Sequence, residues 1–352
     1  YPRRRKRRRH GDHRKAGRQG MTERQGTTGR QGMTGRPIKL IISYDGTDFA
    51  GWQRQKNARS VQEDIEKALE KMHGHPVRLT GAGRTDAGVH AMGQAAGFFT
   101  DIASIPAEKF LLALNKLLPR DIRILSACDA SPDFHARFDA SLRKYRYFIM
   151  CGERQDAFSQ RYAWFVPHLP SITKLNAMAS VIVGEHDFSA FASAKDISRS
   201  KSRFVRESSF WFEGRKLVYQ VSANAFLWRM VRSLVGTMLF FQPQVDTDEE
   251  ASSRMRAVLE SLDRKQAGPT APPQGLFLWN VEYGARTHGH QRRSGEAADA
   301  VASPDAEEWQ SEGERQDQPT APAPATAPAT APQALRLVPG LGYVDDTSTL
   351  RG

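Results

Sequence analysis

Between residues 37 and 285, hydrophobic residues recur with the periods of strands and helices. An apolar, β-branched run over residues 38–44 predicts a buried strand. Residues 60–63, Ser-Val-Gln-Glu, have the Ser-x-x-Glu pattern of a capping box and predict the start of a helix. Along that helix the following apolar residues share one face: Val61, Ile65, Leu69 and Met72.

The same kind of pattern continues to residue 283 and gives the order β-α-β-β-α-β twice, with one additional, shorter helix before the last strand of the second half. In the first half it predicts further strands at 77–80, 94–99 and 122–125, and a helix over 107–118. In the second half it predicts strands at 144–150, 208–212, 217–222 and 275–283, and helices near 172–182, 226–240 and 249–262. We therefore expect an α+β fold of two tandem, ferredoxin-like halves with antiparallel sheets and a central cleft.

Composition changes sharply at both ends of this region and predicts four segments. Of the formal net charge of +12, residues 1–36 carry +11, whereas residues 37–285 carry only +5. The first segment repeats Arg-Gln-Gly from Arg18, Arg24 and Arg30, and the last segment, residues 286–352, contains an alternation of Pro, Ala and Thr from Pro319. Such segments cannot bury a core, so we expect a disordered basic arm (1–36), two halves (37–140 and 141–285) and a disordered tail (286–352). The arm either binds nucleic-acid phosphates or is a dispensable extension.

Several protein classes are excluded by what the sequence lacks. Two cysteines cannot form a disulfide framework or a cysteine zinc site, and the histidines have no metal-ligand spacing. No apolar run approaches the roughly 20 residues that a membrane-spanning helix requires, and the basic start is not followed by a signal-peptide core. We expect a soluble protein of a reducing compartment, with a cytoplasmic location.

The segment with the clearest chemistry is residues 81–90, Gly-Ala-Gly-Arg-Thr-Asp-Ala-Gly-Val-His, between two predicted strands. Three glycines permit backbone conformations that are closed to other residues. In an extended stretch Arg84 and Asp86 project to the same side. The spacing fits a reactive aspartate presented beside an arginine, and it also fits an ion pair that only fastens a loop.

A second charged residue, Arg232, lies in a predicted helix that is apolar nearly all round, which indicates a buried helix. A buried guanidinium requires a carboxylate partner because the desolvation cost is otherwise several kcal/mol. We expect Asp86 to be that partner, which would favour the ionised carboxylate. The alternative is that Arg232 points from the helix end toward a surface acid.

Residues 83–90, Gly-Arg-Thr-Asp-Ala-Gly-Val-His, resemble the active-site loop of tRNA pseudouridine synthases of the A type. Other segments resemble the same family in the same order: 44–46, 51–55, 133–138, 143–147, 184–188, 224–226, 230–232 and 275–278. The resemblance covers about residues 37–285 and stops at both tails. It therefore implies the pseudouridine synthase fold and an isomerase.

The resemblance implies specific roles for four residues. Asp86 would be the nucleophile that converts uridine to pseudouridine at positions 38, 39 and 40 of the tRNA anticodon stem–loop, and Arg232 would lie in its site. Tyr145 would contact the target uracil by stacking, with removal of the C5 proton as a further role. Arg84 would contact phosphate or fill the gap left by the flipped nucleotide.

The resemblance also implies a homodimer whose subunits together hold the tRNA. Because the reaction is an isomerisation, we expect no cofactor. Two basic runs, 143–146 and 199–206, fit phosphate contacts. The competing interpretations are an RNA-binding protein without catalysis and a nucleoside hydrolase that would use the same carboxylate.

Overall fold

The strands predicted from the alternation of apolar residues join in one sheet. The computed structural model describes residues 35–152 and 154–284. Within those residues the strands are β1 (Arg36–Tyr44), β2 (Thr80–Gly81), β3 (His90–Thr100), β4 (Ile122–Asp129), β5 (Ala140–Cys151), β6 (Trp164–Val166), β7 (Gly184–Asp187), β8 (Ser202–Glu213), β9 (Lys216–Ala223) and β10 (Leu276–Tyr283). The α-helices there are α1 (Val61–His73), α2 (Lys109–Leu117), α3 (Ile172–Val181), α4 (Met230–Phe241) and α5 (Asp248–Ser261).

The sheet runs in the order β4-β1-β3-β10-β5-β9-β8-β7, with β2 paired to β3 and β6 paired to β5. Its pairings are antiparallel except for β3 with β10 and β5 with β6. The predicted α+β class with antiparallel halves is thus confirmed. The halves nevertheless share one sheet, because the last strand returns to lie between them.

The junction of the two halves is short. Strands β3 and β10 pair only through His90 with Phe277 and Ala91 with Leu278. Beyond these residues the same edge of β3 runs beside β2, which pairs at Thr80 and Gly81. We call this junction of the two halves the seam of the sheet. The chain between β2 and β3 therefore lies at the seam.

Helix α1 shows how local sequence determines an element. The Ser60 hydroxyl accepts a hydrogen bond from the main-chain N–H of Glu63, as a capping box requires. Val61, Ile65 and Leu69 are fully buried on one face. Burial of each such side chain stabilises the fold by about 1.5–3 kcal/mol. The helix ends at Gly74, whose φ of 76° suits a left-handed C-cap.

Helix α4 begins at Met230, four residues later than the apolar pattern predicts. The main-chain N–H of Trp228 donates to Asp196, and its carbonyl accepts from the N–H of Ser193. These bonds hold the chain outside the helix, and Arg229 turns it with a φ of 62°. A tertiary contact therefore overrides the periodicity of residues 226–229.

Other differences concern short strands. The predicted strand at 77–80 is reduced to β2, and the sequence pattern did not indicate β6 or β7. Strand β7 is Gly-Glu-His-Asp at the edge of the sheet, and a polar strand of this length has no apolar alternation to detect. The predicted arm and tail lie outside the described residues, apart from Gly35 and Arg36. No helix in the described part of the chain is long and apolar enough to cross a bilayer.

Candidate active site

The loop 82–89, which joins β2 to β3, lies at the seam between the two halves. A second loop, 45–52, follows β1 and holds it through the main chain. The N–H of Trp52 donates to the carbonyl of Thr85 at 3.1 Å, and the N–H of Gly88 donates to the carbonyl of Phe49 at 3.3 Å. A Cβ atom at Gly51 would lie 2.5 Å from the Thr85 carbonyl oxygen. Only glycine therefore permits this approach of the two loops.

Thr85, in the middle of the loop 82–89, points its side chain into the core. Its side chain is buried, and its hydroxyl lies 2.8 Å from the hydroxyl of Tyr44. Its neighbours Arg84 and Asp86 are both more exposed than Thr85, which agrees with the alternation that the sequence predicts for an extended stretch. Arg84 is exposed and its Nε donates to Oε1 of Gln53 at 3.1 Å.

Asp86 and Arg232 come together across the seam. Nη1 of Arg232 donates to Oδ2 of Asp86 at 2.8 Å, and the two side chains are 12% and 22% exposed, respectively. Nε of Arg232 donates to the carbonyl of Ala271 at 2.8 Å, which fixes the guanidinium plane. The structure thus has the Asp86 partner that the sequence predicts, rather than the surface acid.

A third residue, Trp228, contacts the same carboxylate and was not found by sequence reasoning. Its indole Nε1 donates to Oδ1 of Asp86 at 2.9 Å. Each carboxylate oxygen of Asp86 therefore receives one strong donor. The apolar pattern of residues 226–238 suggests only that Trp228 is a packed helix residue, so no local signal pointed to this contact.

Tyr145 lies on β5 beside this group and is 7% exposed. Its ring packs edge-on against Phe226, with centroids 5.0 Å apart. A Cβ at Gly83 would lie 3.9 Å from the Tyr145 hydroxyl, so the phenol borders the loop 82–89. Burial raises the pKa of Tyr145 well above its ordinary value, with the negative charge of Asp86 adding to the rise and Arg143 opposing it.

In the basic run 143–146, Arg143 is buried and bonds to the main chain, so it is not placed for the expected phosphate contact. Arg143 is 9% exposed and donates to the carbonyls of Ala140, Asn224, Ala82 and Arg137. It ties the start of the loop 82–89 to the second half, because Ala82 and Asn224 belong to different halves. In the run 199–206, Lys201 is paired with Asp196 and Arg206 with Glu282.

His90 ends the loop as a buried, neutral side chain. Its Nδ1 lies 3.0 Å from the main-chain nitrogen of Gly46 and 3.1 Å from Oδ1 of Asp45. The ring stacks on Phe277 at 4.5 Å. Burial lowers the pKa of His90, and the nearby carboxylate of Asp45 only partly offsets this effect. His90 therefore serves the packing of the seam.

These features define a class of protein: an α+β enzyme with a carboxylate held by donors from the opposite half of its sheet. Within residues 35–152 and 154–284 no group of three or more His, Cys, Asp or Glu side chains is arranged to hold a metal ion. The model of the family described as tRNA pseudouridine synthase matches residues 40–139 and 178–284. The chain belongs to this family of isomerases.

Three relatives show the extent of the similarity. The tRNA pseudouridine synthase A of Treponema denticola is 51% identical over 253 residues, which cover 70% of this chain and 92% of that protein. The enzyme of the same name from Treponema pallidum (strain Nichols) is 42% identical over 264 residues, covering 74% and 92%. That from Acetivibrio thermocellus is 40% identical over 248 residues, covering 70% and 100%.

Proposed function

We propose that this protein isomerises uridine to pseudouridine at positions 38, 39 and 40 of the tRNA anticodon stem–loop in the cytoplasm, with Asp86 as the nucleophile. The observation that carries the proposal is the Asp86 carboxylate, 22% exposed and paired to Arg232 at 2.8 Å. It lies in the loop that resembles the family's active-site segment.

The proposed reaction needs one carboxylate and no external reactant. The N1–C1′ glycosidic bond breaks, the uracil turns, and C5 bonds to C1′. The C5 proton leaves and N1 gains a proton, so atoms and electrons balance without a cofactor. A carboxylate such as Asp86 can assist by attacking the base, by attacking the ribose or by promoting a glycal intermediate.

The neighbours of Asp86 fit supporting roles. Arg232 would hold the carboxylate in one orientation and stabilise its charge while a bond to it forms and breaks. Tyr145 would pack against the uracil, because its ring borders the loop that carries Asp86. The raised pKa of Tyr145 keeps its phenol protonated at neutral pH, which favours this packing role over removal of the C5 proton.

Arg84 is suited to the substrate rather than to the core. Its side chain is exposed and belongs to the residue two positions before Asp86. A uridine within a stem–loop must leave its stack before Asp86 can reach it. We assign Arg84 to the phosphate beside the flipped nucleotide, or to the gap that this nucleotide leaves.

Product analysis tests the proposed function. Unmodified tRNA transcripts with uridine at 38, 39 and 40 are incubated with the protein and digested to nucleosides. The nucleosides are separated by liquid chromatography and identified by their retention times and by mass spectrometry. We expect pseudouridine, and none from matched transcripts with cytidine at the three positions. Free uracil would instead indicate a hydrolase, and unchanged uridine with bound tRNA would indicate a binding protein.

We further propose that the protein works as a homodimer, with the subunits together holding one tRNA. Its region 37–285 carries a net charge of only +5, and pairing two copies would double the positive field that faces the phosphates. Light scattering after size-exclusion chromatography should give twice the chain mass. A monomer that is fully active would contradict this part of the proposal.

A further inference from the structure

The Asp86 carboxylate is held by two donors whose positions are set independently. Arg232 reaches Oδ2 from α4, where its Nε is also bound to the Ala271 carbonyl. Trp228 reaches Oδ1 from the segment before α4. A carboxylate bound through one oxygen can still turn, because its terminal torsion is broad. A donor on each oxygen fixes the plane.

The main chain of Trp228 is anchored to the loop 193–201. Its N–H donates to Oδ2 of Asp196 at 2.6 Å, and its carbonyl accepts from the N–H of Ser193 at 3.0 Å. The Asp196 side chain is only 5% exposed and also pairs with Lys201. Burial acts to raise the pKa of Asp196, but the bonds from Lys201, Trp228 and Ser198 outweigh it and lower the pKa to about 2. The anchor is therefore charged at neutral pH.

Backbone strain is located directly beside this anchor. Arg229 has a φ of 62°, a left-handed conformation that costs a residue with a side chain about 1–2 kcal/mol. Such a conformation persists where the surroundings determine it. Here the surroundings are the two main-chain bonds of Trp228 and the first turn of α4, which together force the turn.

We propose that Trp228 is a positioning residue for Asp86 and that Asp196 acts through it. The inference rests on the proposed function. The indole N–H orients the carboxylate, and one lone pair on each oxygen remains available for reaction. Because reacting groups must be aligned closely, loss of the indole N–H slows the chemical step more than it weakens tRNA binding.

The first test compares Trp228→Phe with Trp211→Phe in a steady-state assay of tritium release from tRNA labelled at uridine C5. Trp211 is the matched control because its Nε1 also donates to a carboxylate, that of Glu213, at 3.0 Å. Loss of a hydrogen bond to a charged group predicts a fall in kcat of about tenfold to a hundredfold for Trp228→Phe, with KM within about threefold. Trp211→Phe should match the wild type.

The second test asks whether Asp196 acts through Trp228. Asp196→Asn should lower kcat by about threefold to tenfold, because a weaker acceptor holds the Trp228 main chain less firmly. In the double variant Asp196→Asn/Trp228→Phe the losses should not add, so its kcat should equal that of Trp228→Phe. Additive losses would show that Asp196 does not act through the indole.

A third measurement does not depend on activity or on the folding of a tryptophan variant. The chain has six tryptophans, whose indole N–H resonances separate in a ¹⁵N correlation spectrum. Asp86→Ala should move one of them upfield and leave the others in place. If none moves, or if Trp228→Phe keeps its kcat, the positioning role is wrong. If the wild type releases no tritium while one resonance moves, the proposed function fails and the contact stands.

Discussion

At the scale of single residues, the site depends on how closely two loops approach. Glycine at position 46 lies against the loop that carries Asp86, because a Cβ there would be 2.0 Å from the Val89 carbonyl oxygen. The sequence shows the motif Tyr-Asp-Gly at 44–46 but not what lies beside it. The role of Asp86 could be suggested from local sequence, whereas Trp228 could not, since it contacts Asp86 across 142 positions.

Gly46→Ala should therefore lower the free energy of unfolding by about 2 kcal/mol or more, because the added methyl group forces the two loops apart. Urea unfolding measures this change. Gly284→Ala is the control, since nothing lies within 4 Å of a Cβ there. Equal stability of the two variants would contradict the described packing of the loops.

A second residue-scale prediction follows from the lowered pKa of His90. The unfolded chain binds a proton at this histidine below about pH 6.5, and the folded protein does so only at lower pH. The contribution of His90 to the free energy of unfolding is therefore constant above about pH 6.5. It is lost as the pH falls below this value, by at most about 1.4 kcal/mol per pH unit. His90→Asn, which keeps an acceptor near the Gly46 N–H, should show a smaller loss between pH 6.5 and 5. An identical pH dependence in both proteins would mean that folding leaves the pKa of His90 unchanged.

At the scale of elements, the sequence pattern predicted the helix boundaries that are set by contacts between residues close in sequence. Helix α1 begins at its capping box and buries the face that periodicity indicates. Helix α4 does not begin where its apolar pattern does, because the loop 193–201 holds Trp228 outside the helix. The joining of the halves by β10 could not be predicted either, since β10 pairs with β3 through only two residues.

The turn before α4 gives an element-scale prediction. Arg229→Gly removes the cost of about 1–2 kcal/mol for a left-handed side-chain residue and adds roughly 0.5–1 kcal/mol of unfolded-chain entropy. The variant should be more stable than the wild type by up to about 1 kcal/mol, as thermal unfolding would show. Arg229→Val should be less stable, because a β-branched residue resists this conformation. The reverse order would contradict a left-handed turn at Arg229.

At the scale of the whole molecule, the site requires both halves of the sheet. The first half supplies Asp86, and the second supplies Arg232, Trp228 and Tyr145. Arg143 strengthens this dependence by bonding the carbonyls of Ala82 and Asn224 at once. Most of the formal positive charge lies elsewhere, in the N-terminal segment.

The N-terminal segment leads to a prediction about binding. Arg36 belongs to β1, so the deletion that tests the arm ends at residue 34. Residues 1–34 hold 12 basic and 2 acidic side chains. Their removal should weaken tRNA binding and flatten the slope of log affinity against log salt, while kcat stays unchanged. A salt slope equal to that of the full chain would show that the arm does not contribute to tRNA binding.

The central claim is that Asp86 carries out an isomerisation. Its most direct test is tritium release from tRNA labelled at uridine C5, measured for the wild type and for Asp86→Ala, with tRNA binding by both as the control. The account predicts release by the wild type, none by the variant, and binding by both proteins. Release by Asp86→Ala at the wild-type rate, or binding without release by the wild type, would contradict it.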